Sequence, residues 1–198
     1  MNHTATTCEV IKFGGSLLAL PDPADCLSRW LANKDASNPP HTRVIIGGGG
    51  CAVEALRQDD ATNSMDAEAT HWAAIDIMDR NTQQLADKLP ALRTTSVLHE
   101  LGACDYLFAP AAWLRETEPT LPGIKLGVGW QVTSDSIAAR IAEVLGASLT
   151  LLKSTDPVGD DDWQAWAEAG LVDSDFSNHA SRVQSIKFVN LLETVASE

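Results

Sequence analysis

The chain has 198 residues, enough for one domain or two small ones, and 44% of them are apolar, which is enough to bury a core. Its 14 basic and 27 acidic residues give a net charge of −13, which argues against nucleic acid or an anionic membrane surface as a partner. No apolar run reaches the roughly 20 residues of a membrane span.

The N-terminal residues lack the basic and apolar pattern of a signal peptide, which favours a cytoplasmic protein. The four cysteines are Cys8, Cys26, Cys51 and Cys104, and they form no Cys-x-x-Cys motif. Two disulfides are compatible with this spacing. Four free and mostly buried thiols in a reducing compartment are the favoured interpretation.

The first half of the chain alternates short apolar runs with helical periodicity. Residues 8–13 (CEVIKF) predict a strand that ends in a glycine turn, and a helix interrupted by Pro21 and Pro23 follows it. The next predicted elements, in chain order, are a loop at 33–41, a strand at 42–46, a helical run at 51–57, a long helix at 66–89, strands at 94–98 and 106–109, and a helix at 110–116.

The second half of the chain continues this alternation. It predicts, in chain order, a helix at 136–145 that ends at Gly146, a strand at 148–152, a turn at 153–157, short helices at 163–169 and 178–182, and a strand at 185–189. No repeat or interdomain linker interrupts the pattern. Alternating strands and helices predict a mostly parallel sheet covered on both faces, and such folds bind ligands at the carboxyl ends of their strands.

The first glycine turn follows the first predicted strand. Gly14 and Gly15 can fold the backbone into a nest whose N–H groups face an anion, and Lys12 would direct its ammonium group toward the same place. An ordinary strand-to-helix turn with a surface lysine explains these residues equally well.

The second turn is a run of four glycines, Gly47 to Gly50. Ordering such a run costs roughly 0.5–1 kcal/mol per glycine relative to alanine, which is hard to explain unless something approaches the backbone closely. With Ala52 the run also satisfies the dinucleotide fingerprint Gly-x-Gly-x-x-Ala, but no ribose-binding acid lies at a strand end about 20 residues further on. It is not a Walker A loop, because no Gly-Lys-Ser/Thr follows.

A third group of polar residues lies at 133–136 (TSDS) and, after the next strand, at 153–156 (KSTD). Asp135 has a plain alternative role as a helix cap, and Lys153 and Asp156 have one as turn residues. The occurrence of all three groups at predicted strand ends is what favours a ligand site.

Four segments together resemble the amino acid kinase family, which includes acetylglutamate, aspartate, uridylate, carbamate and isopentenyl phosphate kinases; they are residues 10–16 (VIKFGGS), 45–49 (IIGGG), 134–139 (SDSIAA) and 153–156 (KSTD). The resemblance implies a single domain over residues 1–198, folded as a three-layer α/β/α sandwich around a mainly parallel sheet. It implies an acceptor-binding part over about 1–130 and a nucleotide-binding part over about 131–198. It also implies a homo-oligomer, a dimer or larger.

The resemblance further implies ATP as phosphoryl donor and a role for individual residues. Lys12 would neutralise charge on the transferring phosphoryl group, Asp135 would orient the lysines, and Lys153 could supply a second positive charge. The nucleotide would lie against Gly14, Gly15, Ser16, Ser154, Thr155 and Asp156. The acceptor would lie against Gly47, Gly48, Gly49, Gly50, His71, Trp130, Thr133 and Ser134. Mg²⁺ would be held chiefly by the ATP phosphates, so no protein metal ligand is expected.

A second resemblance concerns a short subgroup of this family, and residues 71–73 (HWA), 78–79 (MD) and 130–135 (WQVTSD) carry it. That subgroup is linked to methanofuran-type cofactor synthesis, in which an aminomethyl-furanmethanol phosphate is phosphorylated, and it implies a role in one-carbon metabolism. The chain departs from the wider family in lacking a late Gly-rich segment with a second catalytic lysine. Lys153 is the better replacement and Lys187 the poorer one.

Other interpretations stay open at this point. A non-catalytic nucleotide- or anion-binding protein, regulatory or for storage, would account for the shortened C-terminal region. A nicotinamide-dependent oxidoreductase would account for the glycine fingerprint. His71 is as well explained as a buried, hydrogen-bonded histidine as by substrate binding. An ATP-dependent small-molecule kinase acting on a carboxylate or phosphate is the favoured hypothesis.

Overall fold

A computed structural model describes residues 7–35, 41–159 and 162–196. Within these ranges one sheet of six strands has the order β3-β4-β2-β1-β5-β6, and every neighbouring pair is parallel. The strands are β1 (Thr7–Phe13), β2 (His41–Gly47), β3 (Arg93–Thr95), β4 (Asp105–Phe108), β5 (Ser148–Lys153) and β6 (Ile186–Asn190). The central strands are buried on both faces, as their continuous apolar sequences require.

Helices cover both faces of the sheet, which confirms the predicted three-layer α/β/α architecture. They are α1 (Pro23–Asp35), α2 (Gly50–Asn63), α3 (Ala67–Lys88), α4 (Pro110–Ala112), α5 (Ser134–Leu145), α6 (Trp163–Glu168), α7 (Phe176–Ala180) and α8 (Leu191–Ala196). Short 3-10 or π turns occupy Gly15–Ala19, Trp113–Thr117 and Glu118–Thr120. One apolar core contains Ile137 and Ile141 of α5, and the other contains Leu27 and Leu31 of α1.

Several predicted boundaries need correction. The strand predicted at 94–98 ends at Thr95, because the Thr95 hydroxyl bonds the N–H and the carbonyl of Val97 and turns the chain. The helix predicted at 178–182 begins earlier, at the fully buried Phe176. The last strand is followed by α8, which the sequence pattern did not predict. The loop predicted at 33–41 overlaps the end of α1 and the start of β2, and its residues 36–40 lie outside the described ranges.

The termini of α5 agree closely with the sequence signals. Gly146 ends the helix at φ +57° and donates its N–H to the carbonyl of Glu143. The helix begins two residues earlier than predicted, at Ser134, with Thr133 as its N-cap. Asp135 therefore lies in the first turn and not at the cap, which leaves its carboxylate available for other contacts.

The order of the strands brings the predicted turns to one edge of the sheet. β1 lies between β2 and β5, with Phe13 level with Gly47 on one side and with Leu152 on the other. The chain fills one side of β1 with β2, β4 and β3 before crossing to β5, so β1 is the point where the strand order reverses. Ligands of open parallel sheets bind outside the carboxyl ends of strands at such a point.

The helices and the cysteines bear on the expectations about membrane spans and buried thiols. Over the described residues, no helix has both the length and the apolar character needed to cross a bilayer. The cysteines are free thiols, with Cys26 buried, Cys8 and Cys104 half-buried and Cys51 exposed, so they are less buried than expected.

Candidate active site

Two lysines and one aspartate form a buried cluster at the carboxyl edge of the sheet. One oxygen of Asp135, Oδ1, lies 3.0 Å from Nζ of Lys12 and 2.7 Å from Nζ of Lys153. All three residues are buried, with exposed fractions of 4%, 5% and 8% for Lys12, Asp135 and Lys153. The cluster carries two potential positive charges and one negative charge, so it is locally cationic within an acidic protein.

The period-two geometry of the strands explains why these side chains meet. Ile11 and Phe13 point into the core on the α1 side of the sheet, so Lys12, between them, points to the α5 side. In β5, Leu152 belongs to the α1 side, and Lys153 therefore also points toward α5. Asp135 reaches both lysines from the first turn of α5.

Burial and mutual repulsion shift the pKa values within the cluster. Burial, followed by the charge of Lys12, lowers the pKa of Lys153 to about 8, although Asp135 acts in the opposite direction. Burial alone would raise the pKa of Asp135, but the combined charges and hydrogen bonds of the two lysines hold that pKa below its ordinary value. Asp135 is therefore ionised at neutral pH, and the ammonium group of Lys153 loses its proton more readily than that of a surface lysine.

The first two glycine turns contact each other next to the cluster. Gly48 donates its N–H to the carbonyl of Phe13 at 2.9 Å, and Gly14 donates its N–H to the carbonyl of Leu152 at 2.9 Å. A Cβ atom on Gly48 would lie only 2.5 Å from the backbone nitrogen of Gly15. Gly50 has φ +60°, a conformation that side-chain-bearing residues rarely adopt. The glycines are thus needed both for close approach and for backbone conformation.

We expect Gly48→Ala to destabilise the protein by about 1–3 kcal/mol, because the added methyl group must push two backbone segments apart. Denaturant unfolding measures this change. Gly102→Ala is the matched control, since a Cβ there would contact only the Tyr106 hydroxyl, at 3.6 Å. Equal stability of both variants would mean that the two turns are not in contact.

Asn81 of α3 fixes the orientation of the second turn, and the sequence did not single it out. Its side-chain amide donates to the carbonyls of Gly48 and Gly49 at 2.9 and 3.0 Å. Because a trans peptide directs its C=O and the following N–H to opposite sides, the N–H groups of Gly49 and Gly50 face away from Asn81. Such N–H groups at the start of α2 suit an anionic ligand.

The third predicted turn meets the first through serine hydroxyls. Ser154 Oγ and Ser16 Oγ are 2.8 Å apart, which joins the end of β5 to the turn after β1. Asp156 lies further out and accepts a hydrogen bond from the Asn190 side chain at 3.1 Å, and Thr155 is exposed. Lys187 of β6 is exposed. It pairs with Thr150 of β5, which is three residues before Lys153, so Lys187 lies away from the carboxyl edge of the sheet.

A small cavity of about 40 Å³ brings some of the predicted acceptor-binding residues together, but Gly47, Gly48 and Gly50 do not line it. His71, Trp130, Thr133, Ser134 and Gly49 all line it. The Gly129 N–H lies 3.2 Å from Nδ1 of His71, and burial lowers the pKa of that imidazole, so His71 is neutral and hydrogen-bonded.

The position of Trp130 depends on two residues of α2 that the sequence did not single out. Its indole Nε1–H donates to Asp60 Oδ2 at 2.6 Å, and the guanidinium group of Arg57 lies 4.5 Å from the ring centroid. Arg57 also lines the small cavity. A charged side chain therefore stands beside the aromatic residue at the predicted acceptor site.

Comparison with known proteins adds four findings. The model of the amino acid kinase family matches residues 7–174. The fold is similar to that of uridylate kinase from Archaeoglobus fulgidus, with a TM-score of 0.60, 14% identity and coverage of 96% of this chain and 94% of that one. It is also similar to aspartate kinase from Synechocystis, with a TM-score of 0.58, 11% identity and coverage of 91% of this chain but only 38% of that one. No curated protein sequence matches the chain.

Proposed function

Because the chain belongs to the amino acid kinase family and is therefore a small-molecule phosphotransferase with ATP as donor, we propose that the Lys12–Asp135–Lys153 cluster and the adjoining glycine turns form its active centre. The observation that carries the proposal is the shared contact of two buried lysines with one carboxylate beside the glycine turns. Phosphoryl transfer needs positioning and charge neutralisation more than covalent chemistry, and this arrangement provides both.

The two lysines have complementary roles in the proposed reaction. An oxygen of the acceptor attacks the γ-phosphorus of ATP, the bond from that phosphorus to the β–γ bridging oxygen breaks, and ADP leaves. Lys12 and Lys153 stabilise the negative charge on the transferring group, and Asp135 holds both ammonium groups toward it. Anionic phosphate also relieves the repulsion between the lysines, which favours the charged form of Lys153.

The nucleotide in this proposal lies along the first and third turns. Gly14, Gly15 and Ser16 contact the phosphates, and the segment Ser154–Asp156 lies beside the nucleotide. The 2.8 Å contact between the hydroxyls of Ser16 and Ser154 supports a common ligand for the two turns.

Mg²⁺ enters with the nucleotide as part of the substrate MgATP. The described residues contain no group of three His, Cys, Asp or Glu side chains that could hold a metal ion. Asp135 is already paired with two ammonium groups, so phosphate oxygens would supply the magnesium ligands.

The acceptor in this proposal is a carboxylate or phosphate compound that lies against Gly47–Gly50, His71, Trp130, Thr133 and Ser134. The N–H groups of Gly49 and Gly50 and the guanidinium group of Arg57 suit an anionic acceptor. An aminomethylfuran phosphate and a role in one-carbon metabolism follow only from the subgroup resemblance, and neither the family match nor the two similar structures selects that acceptor.

We also propose a separate role for each of two parts of the chain. Residues from about 1 to 130 would bind the acceptor and residues from about 131 to 198 would bind the nucleotide, within one domain. We further propose a homo-oligomeric cytoplasmic enzyme, as the family resemblance implies.

The proposed function is tested by measuring ADP formation from MgATP with an acceptor panel. The panel contains aspartate, N-acetylglutamate, carbamate, uridylate, isopentenyl phosphate and the aminomethyl-furanmethanol phosphate. We expect ADP and one phosphorylated product in equal amounts with at least one member. Tight MgATP binding by calorimetry, with no ADP from any member, would contradict the proposal and favour a non-catalytic nucleotide-binding protein.

The pH dependence of activity gives a specific test of Lys153. Because its pKa is lowered to about 8, we expect kcat/KM for MgATP to fall above that pH as the free enzyme loses the ammonium proton. In Lys153→Arg the guanidinium group stays charged over this pH range. Its kcat/KM should therefore not fall at alkaline pH, even if its rate at pH 7 is lower. Lys187→Arg is the matched control and should keep the decline at alkaline pH. An identical decline in all three proteins would exclude Lys153 as its source.

A further inference from the structure

A segment of three residues after α6, Leu171 to Asp173, contacts Lys153 and the helix turn that carries Asp135. The carbonyl of Leu171 accepts a hydrogen bond from Lys153 Nζ at 2.5 Å. Asp173 contacts the first turn of α5, which carries Asp135. No sequence motif marked this segment, and the mechanism proposed above does not use Asp173.

The carboxylate of Asp173 receives hydrogen bonds from both ends of the first turn of α5. Its Oδ2 accepts from the N–H and the hydroxyl of Thr133, at 2.9 and 2.7 Å, and from the N–H of Ser136 at 3.1 Å. Its Oδ1 accepts from the Ser136 hydroxyl and from the N–H of Asp175. The carboxylate thus satisfies N–H groups that a helix start otherwise leaves unpaired, and it does so across 37 to 40 positions of sequence.

Placing a carboxylate at this position costs free energy of folding, and the need to cap the helix does not by itself explain that cost. Asp173 is half-buried beside the carboxylate of Asp135, and like charges at close range repel each other. Thr133 already caps the same helix start without that repulsion, because its hydroxyl oxygen accepts a hydrogen bond from the Asp135 N–H. The carboxylate instead fixes the one turn of the protein on which the orientation of Asp135 depends.

We propose that Asp173 is a positioning residue for phosphoryl transfer: it fixes the first turn of α5, so that Asp135 holds Lys12 and Lys153 toward the transferring phosphate. The inference rests on the proposed function. It assigns no contact between Asp173 and the substrate, and Asp173 acts only through α5 and through the Leu171 carbonyl on the same segment.

Asp173→Asn tests the proposal, because it keeps the size of the side chain but points an amide donor at N–H donors. Loss of positioning should lower kcat at least tenfold. Loss of one negative charge alone would leave kcat unchanged and would lower KM for MgATP. The measurement is ADP formation from MgATP with the best acceptor of the panel above, or with water as acceptor if none reacts.

Asp66→Ala is the control for a purely structural role. Asp66 caps α3 by accepting from the N–H of Ala69 at 2.8 Å, so its loss lowers the melting temperature without touching the active centre. Its kcat should equal that of the wild type. Ser136→Ala removes one hydroxyl donor to Asp173 and should lower kcat in the same direction by a smaller factor, which keeps the proposal testable if Asp173→Asn does not fold.

The decline of kcat at acid pH distinguishes a positioning role from a purely structural one. A purely structural role of Asp173 would leave that decline unchanged in Asp173→Asn. Burial, then the charge of Asp135, raises the pKa of Asp173, whereas the pKa of Asp135 is lowered. The other charged groups around it are Asp175 on its own segment and, beyond Asp135, Lys12 and Lys153. As pH falls, Asp173 is therefore protonated first, and kcat of the wild type should decline where that of Asp173→Asn stays level. Titration of MgATP itself is common to both proteins and cancels in the comparison.

The outcomes separate the inference from the proposed function. A wild type that forms no ADP with any acceptor or with water overturns both. An active wild type, with unchanged kcat and an unchanged acid decline in Asp173→Asn, overturns only the positioning role. Equal losses of kcat in Asp173→Asn and Asp66→Ala at equal melting temperatures would also overturn it.

Discussion

Lys12→Ala is expected to lower kcat by roughly 100- to 1000-fold, the range found when one positioned electrostatic group is removed from an active site. Lys12 lies one residue before the end of β1, is almost fully buried, and its Nζ lies 3.0 Å from Asp135 Oδ1. Its ammonium group therefore needs no reorganisation when phosphate arrives. KM for MgATP should change less than kcat, because the glycine N–H groups proposed to bind the nucleotide are still present.

The matched control for this variant is Lys187→Ala. Lys187 lies on the neighbouring part of the same sheet but away from the carboxyl edge, and it is exposed. Its loss should leave both kinetic constants unchanged. Full activity of Lys12→Ala would remove Lys12 from the mechanism.

Asp135→Ala is expected to cost both stability and activity. The substitution leaves two buried ammonium groups facing each other without a counter-charge, and removing one partner of a buried ion pair typically costs about 3–5 kcal/mol. Denaturant unfolding measures the stability, and ADP formation measures the activity. Because the pKa of Asp135 is lowered in the folded protein, its contribution is complete above the ordinary aspartate pKa of 3.8 and is lost as pH falls further.

A triple variant separates the two effects. Lys12→Met, Asp135→Leu and Lys153→Met together replace the buried charges with apolar side chains of similar size, so stability should recover to near that of the wild type. Activity should remain undetectable, because nothing neutralises the phosphoryl group. A stable, active triple variant would contradict the assigned roles, and a wild-type stability for Asp135→Ala alone would contradict the buried cluster.

The parts of the fold that sequence predicted are those governed by local pattern. β1, β2 and β5 are apolar runs too short for a typical helix, which favours strands, and Gly146 ends α5 because the left-handed conformation there suits glycine. The strand at 94–98 was predicted too long, since the hydroxyl of Thr95 turns the chain before the apolar residues end. α7 begins at Phe176, earlier than predicted, because that side chain is fully buried in the core. Such burial is not visible in the local sequence pattern.

The residues of the candidate site also fall into those with a local sequence signal and those without one. Lys12, Asp135 and Lys153 could be singled out because each adjoins a recognisable turn or helix start. Asn81 and Asp173 could not, because each acts through hydrogen bonds to a segment more than 30 positions away and neither belongs to a local motif. Arg57 and Asp60 were missed for a related reason, since their spacing on α2 gains meaning only when Trp130 lies against that helix.

The most direct test is a crystal structure with a non-hydrolysable ATP analogue and Mg²⁺. We expect the γ-phosphate within hydrogen-bonding distance of Nζ of Lys12 and Lys153, with the nucleotide following the turns at Gly14–Ser16 and Ser154–Asp156. A triphosphate bound at another surface, with both ammonium groups still paired only to Asp135, would contradict the assignment of this cluster as the phosphoryl-transfer site.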